Sequence, residues 1–199
     1  MIENVLDFIK ETAESYITEQ IGNALGDEKV VLTTFVDDAG KTQIPIERLG
    51  LSLLNIEHER TFRAGPNVPM KQSNAGTPEQ AVFLHKPVDV NLQLIFTANF
   101  SNYQESLKHI SYVIQCFQSQ TNLVFEPQDA ELEPMPLHME INTLPLEQQH
   151  YIWSMIGLRY LPSVVYRLRM VRIQDINDKR VKPVMKSMKF SEGQKEEQD

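Results

Sequence analysis

Apolar residues along the chain follow two periods, and the change from one to the other marks its elements. From the N-terminus, Ile2, Val5, Leu6, Ile9, Ala13, Tyr16, Ile17, Ile21 and Ala24 recur at steps of three and four, with Glu3, Asp7, Lys10, Glu11 and Glu14 between them. This predicts an amphipathic helix of about six turns that stops between Gly22 and Gly26. A single apolar stripe must be covered, by the protein's own sheet or, alternatively, by a neighbouring subunit.

The next stretches read as strands. Val30 to Val36 is β-rich and runs into the turn-forming Asp37-Asp38-Ala39-Gly40. Leu49 to Phe62 is apolar at its start and charged at its end, as for a strand that leaves the core. Residues 64–86 hold two glycines and three prolines among polar residues, which predicts a long loop, either a free excursion or an arm that orders against a neighbour. Val88, Val90, Leu92, Leu94, Phe96 and Ala98 then alternate with Asp89, Asn91, Gln93 and Thr97, giving a strand with one apolar face and one polar face. Ser101 precedes Gln104 at capping-box spacing, and Tyr103, Leu107, Ile110, Val113, Ile114 and Phe117 make a helix to about Ser119 that packs across that strand. Leu123-Val124-Phe125 is a short apolar run, and Leu137 to Ile141 alternates as a strand.

Leu146 to Ile173 is the densest apolar segment, and the rest of the chain is read around it. Leu146, Tyr151, Ile152, Met155 and Ile156 fall at helical spacing with Trp153 on the flank, Thr143 and Pro145 suit the start, and Gly157 closes the end. Beyond Pro162 the period becomes two, with Val164, Tyr166, Leu168 and Met170 on one side and Val165, Arg167, Arg169 and Val171 on the other. After Asp175 the core pattern ends, and a basic then acidic tail is expected to be mobile in the free chain. The fold class is therefore α+β: a mixed or antiparallel sheet of about four to six strands with packing helices and a long N-terminal helix. The expected organisation is one domain over 1–175 and a flexible polar tail over 176–199.

Composition narrows the function classes. A formal charge of −8 and a pI near 5.2 provide no general attraction to a polyphosphate, which argues against a dedicated nucleic-acid binder. The single cysteine, Cys116, cannot form an internal disulfide and lies on the apolar side of a predicted helix, consistent with folding in a reducing cytoplasm. The first residues lack the basic start and unbroken apolar run of a signal peptide, and no run approaches the length of a membrane-spanning helix.

The search for chemistry finds little. Phosphate-binding glycine loops do not occur. The five histidines, His58, His85, His109, His138 and His150, are scattered without zinc-site spacing; His138 and Glu140 have H-x-E spacing, but no cysteine pair follows. Glu57, His58, Glu59, Arg60 and Arg63 invite a catalytic reading, but alternating opposite charges on a strand more often form cross-strand pairs. Arg159, Arg167, Arg169 and Arg172 cluster in an acidic protein; they read equally as carboxylate-holding forks at an interface or as the solvated face of the last strand. No cofactor and no metal are expected.

A resemblance extends this reading. Trp153-Ser154-Met155-Ile156-Gly157, then Tyr160, then Pro162-Ser163-Val164-Val165-Tyr166 and Arg169-Met170-Val171 resemble the closing motif of the cap proteins of phage-tail-like contractile injection systems. The order of elements over residues 1–175 is similar to the domain shared by cap or terminator proteins of such particles, which include the antifeeding prophage and the virulence-cassette particles of insect-associated bacteria. Leu53, Ile56 and Arg60 resemble that family's L-x-x-I-x-x-x-R stretch, while residues 64–86 and the short tail depart from it. The resemblance implies a non-enzymatic assembly protein that forms a hexameric ring at the end of the particle distal to the baseplate. There it would stop inner-tube growth and secure the last sheath ring. The implied partners are further copies of itself, the inner tube protein and the sheath protein; the implied location is the cytoplasm during assembly and the particle afterwards. On this reading Trp153, Gly157, Tyr160, Pro162, Ser163 and Tyr166 form the structural motif, with Trp153 and Tyr166 in the core. Arg60, Arg63, Arg159, Arg167, Arg169, Arg172, Lys179 and Arg180 are the interface candidates, and residues 64–86 and the tail supply heterologous contacts. The alternatives are another completion or baseplate component of a tail-like particle, or a small cytoplasmic enzyme using Glu57, His58, Glu59 and Arg60.

Overall fold

The computed structural model describes residues 1–22, 28–37, 39–59, 70–72, 80–84, 88–128, 133–173 and 179–183. In chain order its elements are α1 (Ile2–Ile21), β1 (Val30–Leu32), β2 (Arg48–His58), β3 (Met70–Gln72), β4 (Gln80–Leu84), β5 (Val88–Asn99), α2 (Tyr103–Ser119), β6 (Asn122–Phe125), β7 (Met135–Ile141), α3 (Leu146–Ile156), β8 (Ser163–Ile173) and β9 (Lys179–Pro183). Met1–Phe62 with Val88–Ile173 form one compact unit, and Arg63–Pro87 with Gln174–Asp199 form a second.

The first unit is built on a six-stranded sheet of order β1-β2-β5-β8-β7-β6. All its pairings are antiparallel except β1 with β2, so the sheet is mixed, as the α+β reading expects. Its centre is β5, which alternates as predicted: Val90, Leu92, Leu94, Phe96 and Ala98 are buried on one face. The predicted N-terminal helix forms and ends at Gly22, which takes a left-handed φ of 70° and donates its N–H to the carbonyls of Thr18 and Glu19. It buries Val5, Leu6, Ile9, Ala13 and Ile17 in the same core as the β5 residues and as Val113, Cys116 and Phe117 of α2. Each large apolar side chain so covered stabilises the fold by about 1.5–3 kcal/mol relative to exposure, so docking on its own sheet accounts for the helix.

Two β-bulges correct the simple alternation. In β8 the pairing with β5 shifts between Val90/Val171 and Leu92/Leu168, so one extra residue is accommodated and parity flips. Val171 therefore joins Tyr166 and Leu168 in the helix-covered core instead of lying opposite them. In β2 the shift falls between Leu53 and Asn55, so Asn55 and Glu57 take the same face as Leu54, which packs with Trp153 and Ile95.

Helix starts also differ from expectation. The cap of α2 is Asn102, not Ser101: its side chain accepts from the Gln104 N–H at 2.9 Å. α3 starts after Pro145, with no side-chain cap from Thr143. Tyr103 and Leu107, counted in the apolar stripe of α2, are exposed, while Ser106 and His109 take the buried positions.

The second unit holds a three-stranded antiparallel sheet of order β3-β4-β9, with Met70 opposite Val82 and Leu84 opposite Lys179. The stretch read as a loop thus provides two strands and the stretch read as a tail provides one. Pairing between the eighties and the hundred-and-eighties is non-local, and each strand is too short to carry a period of its own.

Candidate assembly surface

The two faces of the six-stranded sheet are treated differently. α1 and α2 cover one face. The other is apolar under α3 and polar beyond it, and the sequence-derived candidates gather there.

Under α3, Trp153 packs with Ile95, Leu161, Phe35, Leu54, Ile156, Leu158 and Val165. Its indole lies edge-on to Phe35 at 6.3 Å and to Tyr160 at 5.6 Å between ring centroids. Gly157, at a left-handed φ of 73°, closes the helix by donating to the Trp153 carbonyl, and the chain then turns so that Leu161 and Pro162 are buried beside the start of β8. Pro162 completes the corner by accepting from the Ala98 N–H at 2.9 Å. Trp153 and Tyr166 are both buried, yet they serve different cores on opposite faces of the sheet. Tyr166 lies among Phe96, Phe117 and Cys116; burial raises its phenol well above the ordinary value, and its hydroxyl has no hydrogen-bond partner among the described residues.

Beyond α3 the face becomes charged. Gln93 donates to the Glu57 carboxylate, and Arg167 lies 3.8 Å from the same group. Arg169 pairs with Glu140 at 3.1 Å, Arg172 with Asp89 at 2.9 Å, and Asn91 donates to Glu59 at 2.7 Å. Three of the four clustered arginines thus share one face, each with a carboxylate of its own sheet. Arg159 stands apart, exposed in the turn after α3. Arg60 and Arg63 lie outside the described residues, as do the side chains of Lys179 and Arg180, whose backbone forms β9.

A groove of about 570 Å³ lies between α3 and this polar floor, lined by Glu57, Gln93, Leu144, Gln148, Tyr151 and Arg167 among others. It adjoins an apolar pocket of about 160 Å³ over Ile95, Ile152, Trp153 and Val165, and the two share Asn142, Thr143, Leu144 and Ile152. Of the tetrapeptide read as a catalytic alternative, Arg60 lies outside the described residues, and Glu57 and His58 do not converge here. Glu57 pairs across from Asn91 and faces the groove side, whereas His58 pairs across from Val90 and takes the other parity. Cys116 is buried beneath α1, where burial pushes its thiol up to about 11, so it stays protonated and unreactive at neutral pH. Among the described residues, no three His, Cys, Asp or Glu side chains gather as metal ligands, and no helix is long and apolar enough to cross a membrane.

Two features escaped the sequence reading. The carboxylate of Glu14, on α1, accepts the backbone N–H of Lys29 at 2.8 Å and of Val30 at 2.6 Å, tying the edge strand to the helix. In addition, half of the apolar residues of α3 are uncovered: Leu146 is 81% exposed, Tyr151 69% and Met155 75%. Periodicity locates an apolar stripe but does not distinguish a core from an uncovered surface.

Sheet, helices and surface together define a small α+β scaffold domain organised around packing faces. The chain belongs to the Pvc16 N-terminal domain family, whose profile matches residues 5–187. Its fold is similar to that of the sheath/tube terminator of an extracellular contractile injection system, PVC, in the extended state, with a TM-score of 0.65 at 14% identity over 98% of this chain. It is also similar to the tube-terminating cap of the anti-feeding prophage, with a TM-score of 0.61 at 15% identity over 94% of this chain. The chain spans 64% of the first structure's length and 60% of the second's. No curated protein matches the sequence.

Proposed function

We propose that this chain is the cap of a contractile injection system: a hexameric ring that ends the inner tube and secures the last sheath ring at the end distal to the baseplate. The observation that carries this reading is family membership over residues 5–187, together with a fold shared with two tube-terminating proteins over nearly the whole chain. A physical account supports it. A ring that copies the symmetry of the tube binds the end subunits but offers the next layer no equivalent surface, so growth stops. A domain made of covered faces, paired surface charges and an inert buried thiol is suited to such a role and does not require catalysis. The partners are then further copies of the chain, the inner tube and the sheath, met during assembly in the cytoplasm and retained in the particle. Arg60, Arg63, Arg159, Lys179 and Arg180 are the basic side chains we assign to contacts with these partners, and residues 64–86 and 176–199 supply the heterologous contacts to tube, sheath or neighbour.

The test is removal of the chain from the particle's producing cells, followed by electron microscopy of tube and sheath lengths. Overlong, uneven tubes and sheaths that detach from the distal end are expected. Particles of unchanged length with stable sheaths, or a labelled chain located at the baseplate, would overturn the reading.

A further inference from the structure

We infer that the groove beside α3 captures the free C-terminus of a partner chain whose last residue is apolar. Arg167 and the first turn of α3 hold the carboxylate, and the pocket over Trp153 takes the side chain. At about 570 Å³ the groove falls within the roughly 300–1,000 Å³ of ligand-binding clefts, and the apolar pocket of about 160 Å³ adjoins it at Asn142, Thr143, Leu144 and Ile152. The rim between the two is fixed. The Asn142 N–H donates to the Val165 carbonyl at 2.9 Å, and the Gln149 side chain donates to the Leu144 carbonyl at 3.2 Å.

The hydrogen-bonding capacity left over in the groove is weighted towards donors. Its carboxylate, Glu57, already accepts from Gln93. Arg167 carries five N–H donors, yet the nearest Glu57 oxygen is 3.8 Å away, beyond hydrogen-bond distance, and its buried Nε has no partner among the described residues. On the α3 wall, Pro145 and Gln148 belong to a helix start that no side chain caps, so the N–H groups of Leu146, Glu147 and Gln148 lack an intrahelical acceptor. Two sets of donors border one cavity. A carboxylate satisfies both, being drawn to a guanidinium and to the positive end of a helix.

The apolar pocket decides what carries the carboxylate. Neighbouring residues of an extended segment point to opposite faces, and an acid two residues along stands about 7 Å further on. A C-terminal residue instead bears its carboxylate and its side chain on the same Cα, and brings both to the shared rim. Backbone groups of the residues before it then meet the side-chain amides of Asn142 and Gln148, which are unengaged among the described residues.

The experiment is fluorescence anisotropy of the full chain with fluorescein-labelled peptides Ser-Gly-Ser-Ala-Ser-X, where X is Leu, Phe or Ser, each as the free acid and as the C-terminal amide. The Leu and Phe acids should bind about tenfold more tightly, or better, than their amides and than the Ser acid. Arg167→Gln should weaken them by a similar factor, whereas Glu57→Gln, which removes the groove's own carboxylate, should leave binding unchanged or tighter. A spectrum of the wild type gives a readout that does not rely on variants folding. The Leu acid should move the amide signals of Leu146, Glu147 and Gln148 and the indole N–H of Trp153, and leave those of Leu123 and Val124 on β6 in place. Failure of both acids to bind at millimolar concentration, equal binding by the amides, indifference to Arg167→Gln, or signal changes away from the groove would overturn the inference. So would an amidated peptide with an internal acid, Ser-Leu-Ser-Glu-Ser-Ser, that binds as well as the Leu acid. Capping of tube ends, assayed separately, decides the proposed function whatever the peptides do.

Discussion

Val171 shares the helix-covered core with Tyr166, five residues before it on the same strand, although an unbroken strand would send the two to opposite faces. The bulge between them absorbs one residue, and everything beyond it changes side. Arg172 is thereby brought alongside Asp89, and the arginines of β8 all end on the face away from α1 and α2. Val171→Asp should destabilise the domain by more than about 3 kcal/mol, because it buries an unpaired charge. Urea unfolding measures this directly. A change within about 0.5 kcal/mol, normal for an exposed strand position, would return Val171 to the solvent side.

Glu14 ties α1 to β1 through the N–H groups of Lys29 and Val30. Hydrogen bonds to a charged acceptor contribute about 1.5–3 kcal/mol each, and losing the acceptor leaves backbone donors at a sheet edge unpaired. Glu14→Ala should therefore destabilise by about 2 kcal/mol and, more specifically, speed amide exchange at Lys29 and Val30. Exchange at those two amides equal to wild type would mean that the carboxylate does not hold them.

Much of this architecture was legible in the sequence. The stripe of α1, the alternation of β5 and the Gly157 stop all act locally, within the residues that show the pattern. What stayed hidden depends on distant partners. A bulge is an agreement between two strands, so Glu57 and Val171, which change face beyond one, look like ordinary members of an alternating run. The β4 and β9 strands, Gln80–Leu84 and Lys179–Pro183, pair across about a hundred residues and read separately as loop and tail. The surface was only half legible: the motif around Trp153 was visible as a unit, and so was the arginine cluster. That Arg169 and Arg172 each hold a carboxylate on a neighbouring strand, and Arg167 one on β2 across the intervening β5, follows from register, and register is invisible until the strands are paired.

Trp153, the single tryptophan of the chain, is buried under α3 in a cluster separate from the main core. It is the only fully buried residue of that helix, so α3 is secured to the sheet by one large side chain and a few half-buried neighbours. Trp153→Ala should cost about 3–5 kcal/mol of local stability and release α3 while the sheet under α1 and α2 stays folded. In the wild type, tryptophan fluorescence should shift to the red at lower denaturant than the loss of far-UV circular dichroism. Coincident transitions by the two probes would show that α3 and the main core unfold as one unit.

His109 sits 4% exposed at the start of α2, stacked on Phe100 at 4.1 Å between centroids and edge-on to Tyr112. Its Nδ1 donates to the Glu105 carbonyl at 2.8 Å, which leaves Nε2 as a buried acceptor with no partner among the described residues. Burial holds its pKa below the ordinary value; the charges of Lys108 and Lys29 add to this, and the Glu105 contacts oppose it. The sign follows. Above about pH 6.5 the ring is neutral in both states and its packing contributes in full. As the pH falls below that value the unfolded chain takes up the proton first, so stability drops until the native pKa is passed. The Glu47 carboxylate, held by the Ser101 N–H and also lowered, acts in the same direction but only in the carboxylate range, which separates the two windows. His109→Phe keeps a ring against Phe100 and removes the proton site. Unfolding free energy should therefore decline less steeply in the variant than in the wild type between about pH 7 and 5. Equal slopes would mean that the native ring accepts its proton as readily as the unfolded one.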